Sequence, residues 1–241
     1  MRLVLTCLLC LTFSLIGCSR NSSSRHALAP KAYGAEITEV SGGKQITEVG
    51  SETPQPLVVQ VNGADGNPVS GALVSFYGDG VQFTHAEALT DASGQVTTAV
   101  RLGTASGLYQ IVAETPLPGK NPATLKLQQT ALGYEQKLGR AINERYCIRC
   151  HNSESTPERV SNFDNLSPAP HQFSDGSALN NISDADLINI ISHGGLALGK
   201  SAQMPAYGAT LTPAEIRGVI AYIRVIADPP YQTPGVKYGK D

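Results

Sequence analysis

The chain has 241 residues with 41% apolar residues, 15 Pro, 24 Gly, no Trp and a formal charge of −2. That length suits one or two modest domains, and the apolar share is too high for an unfolded chain. The near-neutral charge and the absence of a long basic run exclude a nucleic-acid-binding protein and a polybasic membrane patch.

The N-terminus reads as an address. After Met1 and Arg2, Leu3 to Ile16 form an apolar stretch too short to span a bilayer. It ends in Leu15-Ile16-Gly17-Cys18, which resembles a bacterial lipobox. The resemblance implies a signal peptide over 1–17, removed with Cys7 and Cys10, and a lipidated Cys18 as the membrane anchor. Ser19 follows the anchor. In enteric-type bacteria a residue other than Asp there accompanies outer-membrane sorting, so a periplasm-facing location on the outer membrane is favoured over the inner one. Residues 18–52 carry balanced charges and few large apolar groups. They are expected to be a flexible tether, roughly 30 Å end to end as a coil. Ile37, Val40, Ile46 and Val49 are its candidates for a short strand or docking segment.

From 53 to 130 the period is near two. Leu57, Val59 and Val61 alternate with Val58, Gln60 and Asn62, and Val96, Thr98, Val100 and Leu102 alternate in one run. Leu73 to Tyr77, Leu108 to Glu114 and Ala123 to Leu127 are further candidate strands. The turns Asp65-Gly66-Asn67-Pro68 and Asp91-Ala92-Ser93-Gly94 separate them. Short strands between turn signals predict a β-sandwich. The strings from Asp65 to Ala72 and from Thr90 to Gly94 resemble bacterial Ig-like domains of the invasin/intimin type. That resemblance implies a spacer or adhesive module, and nothing in this stretch reads as catalytic. His26 and His85 read as solvated or structural residues.

The C-terminal part, 131–228, carries the chemistry. Tyr134, Leu138, Ala141, Ile142 and Arg145 share one helical face, and Cys147-Ile148-Arg149-Cys150-His151 follows directly. A C-x-x-C-H string reads as a c-type haem attachment. Two thiols three residues apart on a helical turn reach two haem vinyl groups, and the adjacent His meets the iron from the same side. A redox-active cysteine pair or half of a zinc site has the same spacing. The first prefers a βαβ setting and the second needs two more ligands. The adjacent His, the export signal and a downstream Met-Pro favour haem.

For the sixth ligand the mature chain offers one Met, Met204, in Gln203-Met204-Pro205-Ala206-Tyr207-Gly208, 53 residues after His151. A thioether is a soft iron ligand that raises the haem potential. The rivals are His171, in a loop after Pro168-Ala169-Pro170, and His193, at the end of a predicted helix from Asp184 to Ser192. A His at a helix C-terminus also suits the negative end of the dipole without a metal.

At this point residues 134–226 resemble class I cytochrome c domains. The matching features are Gly139 eight residues before Cys147, the haem motif, Met204-Pro205 with Gly208, and Leu211-Thr212-Pro213-Ala214-Glu215 opening the last helix through Arg224. The helix start has a local reason too, because Thr212, Pro213 and Glu215 read as a capping box with Pro at N1. The resemblance implies one covalently bound haem c held by Cys147, Cys150 and His151, with Met204 as distal ligand. It places Leu166-Ser167-Pro168 against the haem and the proximal His. Asn143 stands where the family usually has an aromatic, and the insert from Ser161 to Ile182 is longer than in small members. The tail 229–241 holds Pro229, Pro230 and Pro234 and is expected to be disordered.

The expected architecture is therefore multidomain: an all-β Ig-like sandwich, then an all-α class I cytochrome c fold. Filled axial positions leave no substrate site, so the expected role is one-electron transfer to and from redox partner proteins, not catalysis. Residues 131–228 hold 8 basic and 10 acidic residues, which predicts modest electrostatic steering. The alternatives are a cytochrome subunit of a larger oxidoreductase and a haem-containing surface interaction or sensor lipoprotein.

Overall fold

The computed structural model describes residues 28–231. Residues 1–27, which hold the expected signal peptide and Cys18, and residues 232–241 lie outside the described residues.

The first module is a sandwich of short strands. One sheet has β1 (Glu36–Ser41), β3 (Leu57–Asn62) and β7 (Gln95–Thr98) in that order. The other has β2 (Ile46–Glu48), β10 (Ala123–Leu132), β9 (Gly107–Thr115), β4 (Leu73–Tyr77) and β6 (Glu87–Leu89) in that order. β5 (Val81–Phe83) and β8 (Val100–Leu102) pair as a ribbon. Every pairing is antiparallel except β2 against β10. The alternation seen in sequence works as expected in β3, where Leu57, Val59 and Val61 are fully buried. They meet Val74, Phe76, Ile111 and Ala113 in one core. The run from Val96 to Leu102 is not one strand. It breaks at Ala99 into β7 and β8, which pair with different partners.

The tether expectation is corrected over its described part. β1 pairs with β3, and β2 lies along the end of β10. Ile37 of β1 is buried in the sandwich core, and residues 42–45 are tied to a buried polar residue of β10. Gln129 is fully buried; its Oε1 accepts from the Gln45 amide at 2.9 Å and its Nε2 donates to the Gly42 carbonyl at 2.6 Å. Gln45 in turn bonds the backbone of Gln55 in both directions. A buried amide must find partners, and these are the partners it finds. β10 continues to Leu132, past the Leu127 limit read from apolar alternation, because its backbone pairs with β9 as far as Ala131 and with β2 from Thr130 to Leu132.

β10 runs straight into the helical module with only Gly133 between them. Leu132 is 2% exposed, and it belongs to the core of the helices rather than to that of the sandwich. Ile46 of β2 packs against the same helical core. The helices are α1 (Tyr134–Ile142), α2 (Ile148–His151), α3 (Gly176–Leu179), α4 (Asp184–His193) and α5 (Pro213–Ile226). Thr212 and Glu215 form the expected capping box, with Pro213 in the first turn of α5.

The tail expectation is corrected for its first residues. The Pro229 carbonyl accepts from Asn180 Nδ2 at 2.9 Å, and the Arg224 guanidinium lies 3.9 Å from the Tyr231 ring centre. Gly176 lacks the side chain that would collide with the Pro229 carbonyl, so the segment after α5 folds back onto α3.

Candidate functional site

The scaffold of the site is the crossing of α1 and α5. Gly139 and Gly218 meet there, and a Cβ on Gly139 would overlap the Gly218 carbonyl. This changes which face of α1 is buried. Gly139, Ile142 and Asn143 are buried, whereas Tyr134 is 86% exposed and Ala141 and Arg145 face solvent. A face chosen by large apolar residues misses a contact made by the backbone of two glycines. The helix then widens into a π-turn, Asn143–Cys147, before α2 begins. Such widened turns occur mostly as local features near functional sites. Asn143, the departure from the family pattern, is 4% exposed, and its side-chain oxygen has no partner among the described residues.

Cys147, Cys150 and His151 line one wall of a cavity of about 600 Å³, a size that accommodates a cofactor. Both cysteines are unpaired thiols. Burial, with the neighbouring Cys150, pushes the Cys147 thiol up to about 11. Burial holds the His151 imidazole below its usual range, which favours the neutral, ligating form. His151 Nδ1 lies 2.7 Å from the His171 carbonyl. Nδ1 is therefore the protonated nitrogen and Nε2 is free to ligate. Leu166 and Pro168 line the cavity as the resemblance implied. The acceptor for the imidazole is the carbonyl of His171.

Met204 also lines the cavity, from the segment between α4 and α5. Glycines make that placement possible. Gly194 sits at φ +84, and a Cβ there would stand 2.9 Å from the Met204 carbonyl. The Gly195 amide donates to that carbonyl at 3.1 Å. The Tyr207 and Gly208 amides donate to the carbonyls of Ile191 and Ser192, both at 2.9 Å, which satisfies carbonyls at the end of α4. Tyr207 OH donates to the Tyr146 carbonyl at 3.2 Å, tying the Met204 segment to the turn that carries Cys147.

The rivals are separated by position. His193 is absent from the lining of this cavity, and its Nδ1 lies 2.9 Å from Asn189 Oδ1. His171 lines the cavity, but its own carbonyl holds His151, so its backbone belongs to the His151 side. Sequence reasoning missed Phe173, Tyr146 and Tyr207. Phe173 stacks on the His151 ring with centres 4.3 Å apart and an 11° interplanar angle. Nothing in the local sequence signals that contact. Tyr207, by contrast, stands inside the Met204 string and was within reach.

The donor set fits haem c. Two thiols and an imidazole converge from one wall, a thioether is available from another segment, and Leu166, Leu179, Ile182, Leu187, Ile190 and Leu198 supply apolar lining. Among the described residues no cluster of three or more His, Cys, Asp or Glu could hold a metal ion, which leaves the zinc alternative without further ligands.

One comparison with known proteins matches the helical module. Residues 135–223 match the family model described as cytochrome C oxidase, cbb3-type, subunit III. A search of the curated proteins finds no match. Solved structures similar to this chain include the D0-D1 domain of intimin, with 17% identity, TM-score 0.31 and coverage of 40% of this chain and 47% of that one. They also include the Yersinia pseudotuberculosis adhesin InvE, with 14% identity, TM-score 0.32 and coverage of 40% and 32%. The chain spans half or less of the length of these structures, and the sandwich assignment rests on the strand order above. A cytochrome c domain implies covalently bound haem c and fits an electron carrier. The chain is thus a β-sandwich joined to a helical module, and residues 135–223 of that module match the family model of a cbb3-type cytochrome c domain.

Proposed function

We propose that this protein is a membrane-anchored monohaem c-type cytochrome that passes single electrons between partner proteins in the bacterial cell envelope. The observation that carries this reading is the convergence of Cys147, Cys150 and His151 with Met204 on one apolar cavity. When bound, the haem supplies reversible one-electron exchange between ferrous and ferric iron. The residues of the chain do the rest. Cys147 and Cys150 would hold the group covalently, His151 Nε2 and the Met204 sulfur would ligate its iron, and the apolar lining would exclude water. With both iron ligands supplied by the chain, catalysis, if the assembly performs any, would belong to another chain. The lipobox at Leu15-Ile16-Gly17-Cys18 supports a lipid anchor, with outer-membrane sorting favoured by Ser19.

The test is spectroscopic. The oxidised protein is expected to show the weak near-infrared band of ferric iron bound to a thioether. Met204→Ala removes that band and opens the iron to carbon monoxide while haem stays attached. Cys147→Ser with Cys150→Ser removes haem staining on a denaturing gel. A wild type that lacks the band and binds carbon monoxide readily overturns the carrier reading.

A second reading is a cytochrome subunit of a larger oxidoreductase, favoured by the matching family, that of a cbb3-type oxidase subunit. A catalytic chain that co-purifies stoichiometrically from solubilised membranes decides for it. Redox partners that associate only transiently decide for the free carrier.

A further inference from the structure

We propose that Phe173 is a positioning residue for the axial imidazole: its ring face, together with the His171 carbonyl, fixes the rotation of the His151 ring. This rests on the haem reading above.

An imidazole ligand bound through Nε2 keeps one soft freedom, rotation of its plane about the bond to the metal. Two restraints act on that freedom here. The His171 carbonyl lies 2.7 Å from Nδ1 and sets one edge of the ring. The Phe173 ring lies parallel to it, with an 11° interplanar angle and centres 4.3 Å apart, and blocks rotation through one face. That spacing is a close aromatic contact, and offset stacking of two rings is a favourable arrangement. A phenylalanine serving only as filler has no need to lie parallel to a ligand.

Both restraints come from one short segment, residues 171 and 173, and that segment is itself held. Asp228 N donates to the Ser174 carbonyl at 2.9 Å, and Gly176 N donates to the Asp228 carbonyl at 3.0 Å. Asp175 Oδ1 caps α3 by accepting from the Ser177 amide at 3.0 Å. Ser153 Oγ donates to Gln172 Oε1 at 3.4 Å, which links the segment to the chain leaving α2. The clamp is thus anchored to the end of α5 on one side and to the attachment helix on the other. The ring plane of an axial ligand orients the unpaired spin of ferric haem, so a fixed plane has a spectroscopic signature that a merely packed residue does not control.

The experiment uses the oxidised full-length holoprotein. Phe173→Leu keeps the apolar volume and removes the flat face; Phe173→Tyr keeps both. The expected result is that Phe173→Leu alters the spread of the hyperfine-shifted haem-methyl resonances and the g-values, and shifts the midpoint potential. Phe173→Tyr returns the wild-type pattern. A Phe173→Leu protein that melts lower but keeps the wild-type resonances, g-values and potential overturns the proposal, because Phe173 then only fills space. Should neither variant accumulate, dipolar contacts between the Phe173 and His151 ring protons in the reduced wild type decide: their presence supports the clamp and their absence overturns it. A wild type with no low-spin covalent haem overturns both the clamp and the reading beneath it, and is distinguished from failure of the clamp alone by the wild-type spectrum.

Discussion

Gly139 and Gly218 face each other where α1 crosses α5, and neither position has room for a full side chain. The two helices touch backbone to backbone at this point. The crossing sets the direction in which the chain leaves α1, and so where Cys147, Cys150 and His151 arrive.

The two glycines are not equivalent. A Cβ on Gly139 would overlap the Gly218 carbonyl, whereas one on Gly218 would stand 3.1 Å from the Glu135 carbonyl oxygen and 3.3 Å from the Gly139 nitrogen. Gly139→Ala is therefore expected to destabilise the helical module by about 1–3 kcal/mol through overpacking. Gly218→Ala is expected to be milder, because the higher helix propensity of Ala, about 1 kcal/mol, offsets a shift of a few tenths of an ångström. Urea unfolding of both variants checks the order, and equal losses would show that the asymmetry of the crossing is not real.

Gln129 is expected to control the order of residues 42–45. Gln129→Ala leaves the Gln45 backbone amide without its partner and removes one of two donors to the Gly42 carbonyl, which Gln45 Nε2 also reaches, at a cost of about 1 kcal/mol. Hydrogen exchange at Gln45 and limited proteolysis of the segment provide the measurement. Exchange at Gln45 as slow as in the wild type would mean that β2 is held by other contacts.

The sandwich and the helices are expected to unfold together. Leu132 ends a strand yet lies in the helical core, so Leu132→Ala is expected to lower the stability of the haem-binding module by about 2–5 kcal/mol. Glu48 pairs with Lys137 at 2.7 Å across the same junction. Both side chains are about half exposed, and Glu48→Gln is expected to change stability by less than about 1 kcal/mol. Calorimetry of the holoprotein checks this: one transition is expected, and two separate ones with Leu132→Ala affecting only the first module would refute the coupling.

The cap of α5 carries a pH dependence. The Thr212 amide at 2.7 Å, and then the Thr212 hydroxyl, hold the Glu215 carboxyl below its usual range. A carboxyl whose folded pKa is depressed contributes stability above its unfolded pKa and loses it as the pH falls through the folded value. Glu215→Gln is therefore expected to flatten part of the acid limb of the stability curve, below the ordinary carboxylate range. Denaturation midpoints measured across that limb test it, and a variant with the wild-type slope would assign the acid loss to other groups.

The sequence by itself determined that Cys147, Cys150 and His151 form one local unit. They are close in the chain, so one turn of backbone brings them together, and the adjacent His rather than the cysteine spacing favours haem over a redox pair or a zinc site. It also determined the start of α5, because a capping box is a local interaction among four residues, and the alternation of β3, because one face of a sheet is buried. Tertiary structure decided what depends on residues far apart. Gln129 holds Gln45 across 84 positions, and β1 pairs with β3 and buries Ile37, so the expected tether is folded. The exposed side of α1 is set by a glycine on α5, where a missing side chain, not an apolar one, makes the contact. The approach of Met204 to the cavity of His151, and the stacking of Phe173 on its ring, also arise only when distant segments pack. Hydrophobic periodicity reports which face a segment buries; it carries no information about which distant backbone will meet that face.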